Sequence, residues 1–225
     1  MKGCIVDVSY RIIHEKAYVS LFGRSLEGEA FLVFSYYRPY FFIKKSDLVQ
    51  AQHLEDFDYE EVTLKDFHGQ EVVKVLVDIP SDVSILRKMF EAESISCYEA
   101  DIQFSRRFLI DKDIRTCVEI EGDYNYQGDM KVYKDPELRP LDLFVAPLKL
   151  LALDIETDPL AKQIYSISLV CGDFKKVLIV SQKSLKYAEN FSEEKELLER
   201  FFQLIKELDP DLILGWHLID FDFDL

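Results

Sequence analysis

Residues 149–157 read Lys149-Leu150-Leu151-Ala152-Leu153-Asp154-Ile155-Glu156-Thr157, an apolar run that closes on two carboxylates one residue apart. Successive side chains of an extended chain point to opposite faces, so Asp154 and Glu156 share one face, one pleat apart. The segments downstream are legible in the same way. Ile164–Cys171 reads as a second strand and Lys176–Ser181 as a third, joined by the turn Gly172-Asp173. Glu193–Leu208 carries Leu197, Leu198, Phe201, Phe202, Leu204, Ile205 and Leu208 at helical spacing, with Ser192 as the expected cap and Asp209-Pro210 as the stop. Leu212-Ile213-Leu214 is a fourth strand. A crossover helix before it lays this strand parallel to the first and beside it. Asp222, shortly after the fourth strand, then reaches the edge where Asp154 and Glu156 stand. Converging carboxylates are hard oxygen donors that suit Mg²⁺ or Mn²⁺, and two such ions activate a water and stabilise a leaving oxygen in phosphodiester cleavage. On composition and topology alone, Asp154 and Glu156 read equally well as solvated acids at a strand end. Asp158, Asp220 and Asp224 read as solvated turn residues.

Upstream, Pro136, Pro140 and Pro147 lie among charged residues between Asp135 and Pro147, the best linker in the chain. It places a boundary near residue 145, giving domains 1–145 and 146–225. The first is strand-rich: Gly3–Tyr10, Ala17–Phe22, Ala30–Tyr37 and, after Arg38-Pro39, Tyr40–Ile43. Val72–Val77 is a further strand. Pro80-Ser81-Asp82 is a helix-start signal with Ser81 as cap, and Val83, Leu86, Met89 and Phe90 recur at helical spacing up to Glu93. Ile95–Tyr98 reads as a strand again. Strand, helix, strand in this order describes an α+β module with helices on one sheet face.

The 225 residues carry 42 acidic and 27 basic side chains, a net charge of −15. That balance excludes a nonspecific nucleic-acid coat, which works by neutralising phosphates, and leaves a local basic groove or a carboxylate metal site. A 48% hydrophobic content with only 8 Gly and 7 Pro excludes disordered and collagen-like classes. No apolar run approaches the roughly 18 residues of a membrane span, and MKGCIVDVSYR has no signal-peptide core. Cys4, Cys97, Cys117 and Cys171 form no CxxC pair, which fits reduced thiols in a cytoplasmic protein. His14, His53 and His68 are isolated and read as surface residues. The aromatic residues from Phe34 to Phe42 read as β-core or as a base-stacking surface.

Leu151–Thr157 resembles the first exonuclease motif of family B DNA polymerases. Asp209-Pro210-Asp211-Leu212-Ile213-Leu214-Gly215-Trp216 followed by Phe221-Asp222 resembles the second, approach strand included. The resemblance implies a partial ribonuclease-H-like exonuclease domain behind a strand-rich N-terminal domain, α/β and α+β in class. It implies that Asp154, Glu156 and Asp222 bind two Mg²⁺ or Mn²⁺ ions and carry 3′→5′ proofreading hydrolysis. His217 stands where the family usually has the Asn that helps hold the frayed primer strand, so altered strand handling is expected. The family's third motif, with a Tyr and a last metal-binding Asp, and the palm, fingers and thumb are expected beyond Leu225. The chain is therefore expected to be the N-terminal part of a longer DNA-directed DNA polymerase, and not a competent nuclease alone.

Within the family, the first domain is most similar to the archaeal type. Val6–Tyr10, Arg38–Phe41, Ile79–Val83, Tyr98–Ile102 and Phe104–Asp111 carry the match in order. The resemblance implies a read-ahead pocket for template uracil at Tyr10, Pro39, Tyr40, Val83, Ile102, Phe104 and Arg107, with Arg107 on a neighbouring phosphate. Taken singly, Val83, Ile102 and Phe104 read as core. Gln103 replaces the archaeal Pro. Implied partners are single-stranded and primer-template DNA, the remainder of the polymerase chain and a sliding clamp through absent regions, with no membrane and a cytoplasmic, nucleoid-associated location. Two other readings stand beside this one: a non-catalytic template-binding, uracil-recognition module, and a stand-alone exonuclease of the same acidic superfamily. The N-terminal matches argue against the last.

Overall fold

His14 and Glu15, with φ of 48° and 61°, make the two-residue turn of a long hairpin between β1 (Lys2–Ile13) and β2 (Lys16–Ser25). Two left-handed residues give a turn whose twist matches that of the strands. The ladder therefore runs unbroken through residues the sequence assigns to a polar break, pairing Ile13 with Lys16. The computed structural model describes residues 1–142, 144, 146–183, 185–216 and 218. It divides into two units, Met1–Ala146 and Pro147–Leu225.

In chain order the first unit continues with β3 (Ala30–Tyr36), β4 (Tyr40–Lys44), α1 (Leu48–Leu54), β5 (Asp58–Lys65) and β6 (Glu71–Leu76). Then come α2 (Pro80–Ala92), β7 (Cys97–Tyr98) and α3 (Phe104–Asp111). Four strands close the unit: β8 (Cys117–Glu121), β9 (Tyr124–Gln127), β10 (Met130–Lys134) and β11 (Glu137–Leu141). Seven strands form one sheet in the order β11-β8-β1-β2-β3-β10-β9, and β5-β6-β4-β7 form another. The larger sheet buries Val19, Leu21, Phe31, Val33, Val118 and Ile120 with Phe104 and Phe108 of α3. The smaller buries Phe41, Ile43, Val73 and Val75 with Leu86 and Phe90 of α2.

Two expectations change here. Part of the proline-rich stretch is a strand, since Glu137–Leu141 pairs with β8 at the sheet edge. Pro140 is tolerated there because an edge strand has a side on which no N–H is needed. The cap of α2 is Ile79, not Ser81: Pro80 occupies the first helical position, where its missing N–H costs nothing.

The second unit holds β12 (Leu150–Thr157), β13 (Ile164–Cys171), β14 (Phe174–Val180), β15 (Ala188–Phe191), α4 (Glu194–Leu208) and β16 (Leu212–Leu214). Its sheet runs β15-β14-β13-β12-β16. The meander is antiparallel, and β16 lies parallel to β12 in the register Leu150↔Leu212, Leu151↔Ile213, Ala152↔Leu214. The strand β15, parallel to β14, adds to the expected four. Leu151, Leu153 and Ile155 of β12 are buried with Ile167, Leu169, Leu178 and with Leu197, Phe201 and Leu204 of α4. Burying a side chain of this kind contributes about 1.5–3 kcal/mol, so the apolar residues alternating with Asp154 and Glu156 fix which face those acids take. The cap of α4 is Glu193 rather than Ser192. Ser192 instead donates its hydroxyl (2.7 Å) and its N–H (3.2 Å) to Glu196 Oε2. Asp209 ends the helix in the left-handed region, φ 44°, with its N–H on the Ile205 carbonyl.

Candidate functional site

Asp154 and Glu156 are both exposed on one face of β12, alternating with the buried Leu153 and Ile155. Their cross-strand neighbours on β13 are Ser168 and Ser166, small hydroxyl side chains that leave the face open. On the other flank β16 runs parallel, so the chain leaving Leu214 arrives at the carboxylate end of β12. Two fasteners set that approach. The Lys149 N–H donates to Asp211 Oδ2 at 2.8 Å, and the Asp211 N–H donates to the Lys149 carbonyl at 2.9 Å. Gly215 then lies against the Leu153 carbonyl: a Cβ there would stand 2.8 Å from that oxygen and 2.9 Å from Leu218 Cδ1. A glycine at this position is what lets the chain pass directly beside the residue that precedes Asp154.

Among the described residues no three His, Cys, Asp or Glu side chains gather as a metal cluster. Asp222 and His217 lie outside the described residues. Asp154 and Glu156 by themselves supply two hard, solvent-facing oxygen donors of one sign on a rigid strand, a donor set that fits a divalent cation such as Mg²⁺ or Mn²⁺.

Asp158, expected to be a solvated turn residue, closes the loop after β12. Its Oδ1 accepts from the Lys162 and Gln163 N–H groups (2.6 and 2.8 Å) and its Oδ2 from that of Leu160 (3.2 Å). These backbone donors, that of Lys162 foremost, hold its carboxyl below the usual carboxylate range. A depressed folded-state pKa gives stability that is present above the unfolded value and lost as pH falls through the folded one. The Tm difference between the wild type and Asp158→Ala is therefore expected to be full at neutral pH. It should shrink once pH drops below about 3.9, the ordinary Asp value. Thermal melts across that range measure it, and a difference independent of pH would contradict the role.

In the first unit the structure brings four of the seven expected pocket residues into one chain of contacts. The rings of Tyr10 and Phe104 meet edge to face at 5.4 Å, Phe104 meets Tyr37 at 5.5 Å, and Tyr37 meets Tyr40 at 6.3 Å. The Arg107 guanidinium sits over the Tyr40 ring at 4.9 Å. Arg107 is buried, with Nη1 2.6 Å from Glu99 Oε2 and Nη2 donating to the Glu99 carbonyl at 3.3 Å. Tyr37 and Tyr40 both donate to Asp111. Burial, aided by that carboxylate, pushes the Tyr40 hydroxyl up to about 12. Of the other three, the Pro39 carbonyl accepts from the Val77 N–H at 3.0 Å, Ile102 is half-buried, and Val83 packs on the core of the smaller sheet. The sequence reading missed Tyr37, Glu99 and Asp111. Tyr37 and Asp111 are 74 residues apart, and Glu99 meets Arg107 only across the turn between β7 and α3.

Residues 95–225 match the family model for the exonuclease domain of DNA polymerase family B. The chain is 28% identical to DNA polymerase II of Escherichia coli (strain K12) over 194 residues, 80% of this chain and 24% of that protein. It is 33% identical to a DNA polymerase of Thermococcus litoralis over 168 residues, 70% of this chain and 8% of the relative. The solved structure of the family B DNA polymerase from the hyperthermophilic archaeon Pyrobaculum calidifontis shares its fold, with a TM-score of 0.81 at 24% identity. All of this chain and 31% of that one are covered. This chain thus spans about a quarter or less of the curated relatives named. With the family's exonuclease-domain model covering more than half of its residues, the chain belongs to DNA polymerase family B.

Proposed function

We propose that the chain is the N-terminal region of a DNA-directed DNA polymerase with 3′→5′ proofreading. Residues 1–145 form a template-binding domain and 146–225 the first part of the exonuclease domain. The observation that carries this reading is the pair Asp154 and Glu156, exposed on one face of β12, with β16 parallel beside it and Gly215 against the Leu153 carbonyl. Asp154 and Glu156, joined by Asp222, are the residues that hold two Mg²⁺ or Mn²⁺ ions. Such ions, when bound, supply an activated water and neutralise charge on the phosphodiester. The remaining work falls to the protein. The parallel register of β12 and β16 points the chain leaving Leu214 toward the carboxylate end of β12, and this reading assigns the primer strand to His217 and the third carboxylate to Asp222. The exposed face admits a frayed 3′ end. The partners are single-stranded and primer-template DNA and the rest of the polymerase chain, with a sliding clamp engaged through regions outside this chain, in the cytoplasm at the nucleoid.

A 5′-labelled single-stranded oligonucleotide with Mg²⁺ tests the reading. A polypeptide extended past Leu225 through the third exonuclease motif should shorten it stepwise from the 3′ end, and the 225-residue chain should not. Stepwise degradation by the 225-residue chain would show that its site is already complete.

The template pocket is the finer part of the proposal. Its residues are Tyr10, Tyr40, Phe104 and Arg107, which with Tyr37 make one chain of contacts, together with Pro39, Val83 and Ile102. A tight apolar pocket accepts a flipped uracil and rejects the thymine methyl. The Glu99–Arg107 pair and the Asp111 bonds give that chain of contacts the support of residues locked in place. Fluorescence anisotropy with matched single strands should show at least several-fold tighter binding of the uracil strand. Equal affinities would remove the pocket and leave the domain as a plain template-binding module.

A further inference from the structure

Cys4 on β1 and Cys117 on β8 stand directly opposite each other, and their sulfurs are 3.1 Å apart. The ladder decides what that pairing permits. The Ile5 N–H donates to the Thr116 carbonyl (2.8 Å) and the Ile120 N–H to the Met1 carbonyl (2.7 Å), so hydrogen-bonded positions alternate at 1/120, 3/118 and 5/116. Cys4 and Cys117 therefore occupy a non-hydrogen-bonded position, where antiparallel strands bring their Cα atoms to about 4.5 Å and their side chains closest. That spacing lies within the range a disulfide spans, roughly 4.4–6.8 Å between Cα atoms.

Both sulfurs are buried, and both lie near the Phe144 backbone. Cys4 donates to the Phe144 carbonyl at 3.3 Å, and the Phe144 N–H donates to Cys117 Sγ at 3.4 Å. Cys117 also lines a cavity of about 610 Å³ with Asp113, Arg115, Thr116, Pro140 and Leu141. The outer wall of that cavity includes β11, an edge strand whose Pro140 has no N–H to give to the ladder.

We infer that Cys4 and Cys117 are a reversible modification site, a dithiol that a small hydroperoxide converts to a cross-strand disulfide. The cavity assigns the order of events. The Cys117 thiolate attacks the peroxide oxygen, the O–O bond breaks, and an alcohol or water leaves with a proton, so that Cys117 becomes a sulfenic acid. Cys4 then attacks that sulfur, the S–O bond breaks, and the hydroxide leaves as water with the proton of Cys4. Two thiols and one hydroperoxide give one disulfide, one alcohol and one water, the two sulfur electrons passing to the peroxide. Burial pushes the Cys4 thiol up to about 11, which disfavours Cys4 as the first nucleophile; in the second step it gives up its proton to the departing hydroxide as it attacks. The linked form has no S–H to donate to the Phe144 carbonyl. Cys97 and Cys171, with no sulfur partner among the described residues, serve as internal controls.

Mass spectrometry of the 225-residue chain, treated with hydrogen peroxide or tert-butyl hydroperoxide and then unfolded and alkylated, tests the site. The expected product is lighter by two hydrogens before alkylation and has lost alkylation at Cys4 and Cys117 alone. It yields one peptide pair joining these residues, and dithiothreitol reverses it. With Cys4→Ala, oxidation should stop at a Cys117 sulfenic acid that dimedone traps. Full alkylation of both residues after peroxide treatment, or a link from either to Cys97 or Cys171, would overturn the assignment.

Discussion

Replacing Asp154 with Asn and Glu156 with Gln in the polypeptide extended through the polymerase is expected to remove the proposed 3′→5′ degradation, by on the order of 10³-fold or more, and to leave primer extension intact. The size follows from what is lost. Removing one group that stabilises developing charge typically costs 10²- to 10³-fold, and this double change removes two acids of the proposed two-ion site. The fold should not suffer. Both side chains are exposed, and the core contacts of β12 are made by Leu151, Leu153 and Ile155. Surface changes of this kind usually shift stability by no more than about 0.5 kcal/mol, and removing two like charges one pleat apart relieves repulsion. Exonuclease and extension assays on the same preparation, with its melting curve, separate the outcomes. Retained degradation would show that the acids are strand-end residues without a catalytic part. Loss of both activities with a lowered Tm would point to structure instead.

The second large effect lies in the first unit. Gly23→Ala is expected to destabilise the chain by about 3 kcal/mol or more, at or beyond the upper end of ordinary overpacking. A Cβ at position 23 would stand 2.1 Å from the Cys4 carbonyl oxygen and 2.4 Å from Phe31 Cζ. Gly3, on the neighbouring strand, differs in an informative way: its nearest atoms all belong to the Phe31 ring, the first at 2.3 Å. The two glycines together make room for one fully buried phenylalanine. Combining Gly3→Ala with Phe31→Leu should therefore give a double variant more stable than the two single effects sum to, because the ring that clashes is gone. The same combination at Gly23 should show little rescue, since the Cys4 carbonyl belongs to the sheet and cannot withdraw. Urea midpoints for the set decide it, and a Gly23→Ala cost under about 0.5 kcal/mol would contradict the packing described.

The second unit was the more legible in sequence, and the reason is physical. Strands that bury a face read as apolar runs, as Leu151–Leu153 and Ile164–Cys171 do, and Leu212-Ile213-Leu214 is an apolar run although none of its residues is buried. The crossover rule then placed β16 beside β12. β15 escaped because Ala188-Glu189-Asn190-Phe191 has two polar residues at its centre and no apolar run, and is held by pairing with β14. In the first unit Glu137–Leu141 read as linker, since its prolines and charges carry no strand signal and its pairing with β8 is a tertiary fact.

The site divides along the same line. Alternation put Asp154 and Glu156 on one face, as the structure does. The loop-closing role of Asp158 depends on three N–H groups two to five residues ahead turning back on it, and no periodicity reports that. Tyr37 and Asp111 meet across 74 residues, and each looks unremarked in its own segment.

The central claim is that Asp154 and Glu156 are metal ligands, and Mn²⁺ titrated into the ¹⁵N-labelled chain tests it most directly. Paramagnetic broadening should begin at the amides of 154–156 and reach the facing Ser166 and Ser168 of β13. It should vanish in the Asp154→Asn, Glu156→Gln double variant, with the rest of the spectrum unchanged. Broadening centred elsewhere on the acidic surface, or persisting in the double variant, would contradict the account.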